Sequence, residues 1–182
     1  MKQVIKYFKH VLFILTLVVI QLAVIPFLGG WLSYFNIIIV ALVFICVVYG
    51  PALGKSYAFA LGIILDLFSP LPFGINLISI LAVIFIAEFL LEKMFINRSF
   101  YALICLTGAA LIILKTLSSC FSGINRFIAT KDTAFITERM FADIDGFLMY
   151  LVFNLMLAAI IFFIFNIASR RFKAVFIDTA RG

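Results

Sequence analysis

Three ionisable side chains, Asp66, Glu88 and Lys115, lie inside long apolar runs of this 182-residue sequence. An ionisable group among apolar residues is costly unless it is paired, hydrogen-bonded or hydrated, so each is a candidate functional residue. Asp66 carries the most information. It either bonds Ser, Asn or backbone groups and so fixes helix packing, or serves in catalysis or ion transport, and the packing role is favoured.

Asp66 ends a stripe of small residues. Gly50, Gly54, Ala58 and Gly62 precede it at intervals of four, so all five residues lie on one face of a helix. Small residues at this spacing let a second helix approach closely, which is how helices associate in lipid. The stripe therefore predicts a helix-packing or partner-binding face that includes Asp66.

Lys115 is the predicted partner of Asp66. The two residues fall at similar depths if their segments cross a membrane in the same direction, and Gly108, Ile112 and Lys115 share a helical face. An unpaired lysine at that depth would be costly unless its side chain reached the interface. We therefore predict a buried Asp66–Lys115 ion pair between the third and fifth apolar segments.

Other polar residues in the apolar runs have mainly structural interpretations. Glu88 is expected to reach the interface or to meet Lys55 or Arg98. Asn154 lies on a small or polar seam of the last segment and must bond a neighbouring helix at mid-membrane. His10 stands beside basic residues and is expected at the surface.

The sequence lacks the patterns of the common catalytic sites. It has one histidine, no Gly-x-Ser-x-Gly, no His-Glu-x-x-His, no phosphate-binding loop and no acidic cluster for a metal. Cys46, Cys105 and Cys120 lack metal-type spacing and are expected to pack. We predict no enzyme activity, no cofactor and no metal.

Composition indicates the elements that position these residues. Hydrophobic residues make up 66% of the chain and the mean hydropathy is +1.30, which a water-soluble domain of this size could not cover with polar surface. The apolar runs are continuous, so they predict helices and not barrel strands. We predict an all-α, polytopic membrane protein, a six-transmembrane-helix bundle in one membrane domain, 1–182. The predicted helices are 11–28, 35–49, 54–69, 73–91, 99–120 and 147–168.

Basic residues predict the orientation of the bundle. With the N-terminus inside, the cytoplasmic pieces hold ten Lys and Arg residues, the outer pieces hold three, and Lys115 lies within a helix. The positive-inside rule then places both termini in the cytoplasm. Because the basic residues lie at helix ends, the net charge of +6 does not indicate nucleic-acid binding. The basic inner face would suit membrane lipids with anionic headgroups or an acidic partner.

The interval 121–146 is predicted to be an outer loop. Its stretch from Thr133 to Phe147 has apolar residues at near-helical spacing, which favours a short amphipathic helix lying at the interface. The alternative is an ordered loop that packs its own apolar residues.

The stretch Ser56–Leu91 resembles the bacterial rod shape-determining protein MreD family. The resemblance rests on Gly62-x-x-x-Asp66-Leu67-x-Ser69, followed by Gly74 after a short turn. It adds Ser69 and Gly74 to the predicted helix-packing or partner-binding residues. Weaker matches are Gln21 with Pro26, and Asn36. Architecture is similar over nearly the whole chain, whereas the specific motif covers about forty residues.

Two positions depart from the family pattern. Members often have proline where this chain has Phe35, and a basic residue or histidine where it has Asn76. The resemblance implies a non-enzymatic scaffold subunit of the cell-elongation complex (the elongasome) in the bacterial inner membrane. Such a subunit binds MreC, and through it connects MreB filaments to a SEDS-type glycosyltransferase and a class B penicillin-binding protein for peptidoglycan synthesis and cell shape.

The alternative is the substrate-binding component of an energy-coupling factor vitamin transporter. Those proteins also have six helices and about this length, and a relation between the two folds is an expectation. They usually carry small residues in helix one for docking, whereas the first segment here has only Ala23 near its centre. The Asp66–Gly74 motif also favours the first interpretation.

Overall fold

The computed structural model describes residues 2–70, 72–93, 100–130 and 144–168, and every regular element in these ranges is helical. A π-helical turn, Ile20–Val24, joins α1 to α2, and a 3₁₀ turn, Gly30–Tyr34, precedes α3. The helices are α1 Lys2–Val19, α2 Ile25–Leu28, α3 Ile37–Tyr49, α4 Pro51–Phe68, α5 Ile75–Lys93, α6 Phe100–Thr130 and α7 Ile144–Ala168.

Five of the predicted segments form helices long and apolar enough to cross a membrane. The first is Phe8–Leu28, which consists of most of α1, the π-helical turn and α2. The other four are Pro51–Phe68, Ile75–Lys93, Phe100–Phe121 and Gly146–Ile167. The sixth, α3, is apolar but has only 13 residues. The prediction of an all-helical chain is therefore confirmed for the described residues, with five long apolar helices and one short one.

The short helix α3 lies at the centre of the bundle. Ten of its residues, Ile38 to Val47, are buried, and it packs against α1, α4, α5, α6 and α7. A helix that is apolar on every side has no polar face to present to water, so it takes the position that other helices surround. The hydrophobic core forms around it.

The helices run alternately up and down, and side-chain contacts define the two ends of the bundle. Lys55 near the start of α4 pairs with Glu88 near the end of α5, and we call this the Lys55 end. Asp66 near the end of α4 contacts the start of α5, and we call this the Asp66 end. Short connections between neighbouring helices require this antiparallel order.

The helix α6 is longer than the sequence predicts. It runs to Thr130, ten residues beyond the predicted end at 120, so part of the predicted outer loop is helical. Polarity after Cys120 marks the end of the apolar span, but it does not end a helix, and no proline follows before Thr130. Most of the predicted amphipathic helix, Thr133 to Asp143, lies outside the described residues.

Candidate functional site

The carboxylate of Asp66 binds the beginning of the next helix. Its Oδ2 accepts hydrogen bonds from the backbone N–H groups of Gly74 (3.0 Å) and Leu77 (3.1 Å), and Oδ1 accepts one from Asn76 (2.9 Å). The first N–H groups of any helix lack partners within that helix, and the helix dipole makes them electropositive. Asp66 therefore caps α5 from a different helix, and its side chain is only 4% exposed.

Two glycines let α4 approach its neighbours. A Cβ atom on Gly62 would lie 2.8 Å from both Cα and Cδ1 of Leu77, so only glycine fits against α5 there. A Cβ atom on Gly54 would lie 3.2 Å from Cβ of Cys46 on α3. Ala58, between them, is fully buried. The small-residue stripe therefore packs against α3 and α5 of the same chain.

The predicted ion pair between Asp66 and Lys115 is wrong. Both oxygens of Asp66 accept from α5, the side chain of Lys115 is exposed, and no ion pair joins the two residues. The prediction assumed that a buried carboxylate needs a cation. Backbone N–H groups at a helix start supply the same electrostatic stabilisation, because three of them converge with the helix dipole on one carboxylate.

A second polar cluster caps the central helix α3 at the same end of the bundle. Asn36 caps its own helix, since its Oδ1 accepts from the N–H of Ile39 at 3.2 Å. The N–H of Asn36 donates to Oδ1 of Asn154 on α7 (2.7 Å), and the N–H of Ile37 donates to Oε1 of Gln21 (2.9 Å). Three side chains from three parts of the chain therefore serve one helix N-terminus.

Two of these side chains, Asn154 and Gln21, also bind carbonyl groups near that helix start. Nδ2 of Asn154 donates to the carbonyls of Tyr34 (2.8 Å) and Tyr150 (2.7 Å). Nε2 of Gln21 donates to the carbonyl of Phe35 at 3.2 Å. Asn154 is fully buried, so these bonds satisfy a polar group that has no access to water. This agrees with the expectation that Asn154 bonds a neighbouring helix.

Gln21 lies in the π-helical turn Ile20–Val24, which inserts an extra residue into the helix that joins α1 and α2. Such turns change the direction of the side chains that follow and are frequent at functional positions. Here the turn accompanies the contact of Gln21 with α3. The sequence signal for Asn36 was its place directly before an apolar run, which is typical of an N-cap. Nothing local signals the role of Gln21.

The Lys55 end has a different chemistry. Nζ of Lys55 lies 2.9 Å and 3.1 Å from the two carboxylate oxygens of Glu88 and 5.5 Å from the ring centroid of Phe85. The expectation that Glu88 meets Lys55 is confirmed. Nδ1 of His10 and the hydroxyl of Tyr57 are hydrogen-bonded, which ties α1 to α4, so His10 is half-buried and not at the surface.

The remaining predicted site residues lie close to the Asp66 end. Ser69 directly follows α4 and its N–H donates to the carbonyl of Asp66 at 3.4 Å. Gly74 precedes α5 with φ +100°, a left-handed conformation that favours glycine, and its N–H points at the Asp66 carboxylate. The motif from Gly62 to Gly74 therefore forms one connected structure, the junction of α4 and α5.

In the described ranges, no group of three or more His, Cys, Asp or Glu residues could hold a metal ion. Two buried hydroxyls there, Ser79 on α5 and Thr107 on α6, have no hydrogen-bond partner. The other buried polar side chains, Asp66 and Asn154, bind backbone groups at helix starts. What the arrangement does chemically is to fix helices relative to one another.

Five helices that are long and apolar enough to cross a membrane indicate a multi-pass helical membrane protein. No protein-family model, no curated protein and no solved structure matches the chain.

Proposed function

We propose that the chain is a non-enzymatic scaffold subunit of the bacterial cell-elongation complex that binds MreC in the inner membrane. The observation that carries the proposal is the use of Asp66. Three residues that carry the chain's resemblance to the MreD family, Gly62, Asp66 and Gly74, lie at the junction of α4 and α5 and form its contacts. A motif that fixes helix geometry suits a protein whose role is to present helix surfaces to partners.

The outer surfaces of the bundle support the same role. Few residues in the spans Phe8–Leu28 and Gly146–Ile167 are fully buried, and both spans expose large apolar side chains, such as Val19 and Phe27 in the first and Met156 and Phe163 in the second. A transmembrane helix of a partner protein can replace lipid on such a surface. MreC is the proposed direct partner, and the MreB filaments, glycosyltransferase and penicillin-binding protein are reached through it.

The proposed orientation places the Lys55 end in the cytoplasm. Three of the described basic residues, Lys9, Lys55 and Lys93, lie toward that end, in the first half of α1, near the start of α4 and at the end of α5. By the positive-inside rule this end faces inward, and both termini with it. Cysteine labelling of intact cells at the connection between α6 and α7, which should react from outside, tests the orientation.

The alternative, a substrate-binding component of a vitamin transporter, needs polar side chains that can meet a ligand at the outer end. At the Asp66 end Gln21, Asn36 and Asn154 already bind backbone groups of helix starts. Using them for a ligand would leave buried backbone groups unpaired, at a cost of about 1–3 kcal/mol each. This consideration favours the scaffold proposal.

Affinity purification of the tagged chain from its native membrane, after mild crosslinking, tests the proposal. We expect MreC among the captured proteins at near-equal amounts, and rounding of rod-shaped cells when the chain is depleted. The Asp66→Leu variant should capture less MreC because the α4–α5 junction is disrupted, and Lys115→Met, which changes a charge outside both polar clusters, is the matched control. Capture of an ATPase pair with a bound vitamin, and no MreC, would overturn the proposal.

A further inference from the structure

The turn between α4 and α5 exposes an uncharged, apolar surface. Leu67 and Phe68 at the end of α4 are each 68% exposed, and Phe73 just before α5 is 65% exposed. Pro70 and Pro72 between them are exposed as well. Proteins surrounded by water rarely expose contiguous apolar patches of this kind, so the turn needs a cover.

Hydrogen bonds hold the turn in this conformation. The Asp66 carboxylate binds Gly74 on the far side of the turn, and the N–H of Ile75 donates to the carbonyl of Pro72 at 3.3 Å. The two prolines have fixed φ angles, which further restricts the backbone. The apolar side chains therefore cannot turn inward without breaking the cap of α5.

The length of α4 places the turn below the membrane surface. A lysine in a transmembrane helix keeps its ammonium group near the interface, so the Lys55–Glu88 pair marks one boundary of the hydrocarbon. The helical rise from Lys55 to Phe68 is about 20 Å, whereas the hydrocarbon is about 30 Å thick. If the lysine side chain reaches about 5 Å outward to the interface, Phe68 still lies about 5 Å inside the opposite boundary. Tilt of the helix would place it deeper.

Two further helices give the same result. The rise from Glu88 back to Ile75, the start of α5, is also about 20 Å, as is the length of α3. In contrast, α6 and α7 have 31 and 25 residues and are about 46 Å and 37 Å long. The helices α3 and α5 are therefore shorter than the hydrocarbon is thick, whereas α6 and α7 are long enough to cross it.

We propose that the α4–α5 turn, described here by Leu67–Pro70, Pro72 and Phe73, lies within the bilayer and is covered by lipid acyl chains. Helix starts at this depth cannot be capped by water, and every backbone group must be satisfied by the protein. Asp66 meets that requirement for α5. The turn also continues the apolar outer surface of the same two helices, where Phe59 and Phe85 are exposed. The proposal does not depend on the function of the chain.

Single-tryptophan variants of the full-length chain in proteoliposomes test the depth of the turn. The chain has one tryptophan, Trp31, so Trp31→Phe combined with Phe68→Trp or with Phe73→Trp places the only indole at the turn. The matched control combines Trp31→Phe with Tyr101→Trp, because Tyr101 is 79% exposed and begins α6 at the Lys55 end. All four replacements are aromatic for aromatic at exposed positions, so folding should be retained. Iodide in the aqueous phase and lipids brominated along the acyl chain are the quenchers.

We expect the indoles at positions 68 and 73 to lose iodide quenching and to be quenched by the acyl-brominated lipids, with emission shifted to the blue of the position-101 control. Iodide quenching equal to that of the control would overturn the proposal, since the turn would then lie in water. Protection from both quenchers would also overturn it, because a second copy of the chain, and not lipid, would then cover the turn.

Discussion

Replacement of Asp66 should destabilise the protein by removing the cap of α5. In the Asp66→Leu variant the N–H groups of Gly74, Asn76 and Leu77 lose their acceptor. A buried unpaired backbone group costs about 1–3 kcal/mol, so the expected loss is about 3–6 kcal/mol, allowing for partial relaxation. Loss of a capping residue in water costs only about 0.5–2 kcal/mol, because water then takes its place.

The Asp66→Asn variant gives a graded comparison. Its amide oxygen can occupy the position of Oδ2 and keep the bonds from Gly74 and Leu77, but its NH₂ group then faces the N–H of Asn76, donor to donor. The negative charge at the helix start is also lost. We expect a loss of about 2–3 kcal/mol, between wild type and Asp66→Leu.

Denaturant unfolding of the purified full-length chain, followed by hydrogen exchange at the start of α5, measures these effects. The exchange of Asn76 and Leu77 should accelerate in both variants. Lys115→Met is the control that separates a cap from an ion pair: it should stay within about 0.5 kcal/mol of wild type and add independently to Asp66→Asn. An Asp66→Leu variant as stable as wild type would refute the reasoning. So would a double variant, Asp66→Asn with Lys115→Met, that loses clearly less stability than the sum of the two single losses.

Three further substitutions follow from the packing and from the second cluster. Gly62→Ala should cost about 1–3 kcal/mol in the same unfolding assay because its Cβ would lie 2.8 Å from α5, whereas Gly108→Ala, with its nearest atom at 3.9 Å, should be close to neutral; equal losses would contradict this. Asn154→Leu should cost about 2–4 kcal/mol because it leaves backbone groups at the start of α3 unpaired. The control Asn166→Leu changes an exposed asparagine of the same helix and should cost little, so equal losses of unfolding free energy would contradict this prediction. Glu88→Gln should cost only about 0.5–1 kcal/mol, because its partner Lys55 is 36% exposed and water and salt weaken the attraction between the two charges. A loss of stability larger than that of Gly62→Ala, and unchanged by added salt, would contradict this.

The sequence predicts the helices well because continuous apolar runs have one stable form in lipid. It also predicts the burial of Gly54, Ala58, Gly62 and Asp66, since a spacing of four places them on one helix face. The predicted end of α6 was wrong by ten residues because an apolar span can end before its helix does. Hydropathy marks the end of the apolar span, whereas the end of a helix depends on residues that stop it, such as glycine and proline.

The partner of Asp66 could not be predicted from residue types. A comparison of side chains alone pairs the Asp66 carboxylate with a cation, and Lys115 is the basic residue expected at the same depth. The actual partners are backbone N–H groups, which every residue carries and which sequence patterns do not distinguish. The role of Gln21 was equally hidden, because it depends on a π-helical turn and on contact with a helix start 16 residues away.

The positions of the polar residues follow from where helices begin. Both α3 and α5 start at the Asp66 end, and the first N–H groups of each helix need acceptors from outside that helix. Asn36 and Asp66 therefore lie next to those two starts, and Asn154 reaches the first of them from α7. Buried polar groups in a membrane protein are often taken as signs of a transport path or an active site. Here Asp66 and Asn154 have backbone partners, which they cannot leave without leaving N–H groups at helix starts unpaired. We therefore expect a partner to bind the outward apolar faces of the helices, because contacts there can change without leaving a buried N–H group unpaired.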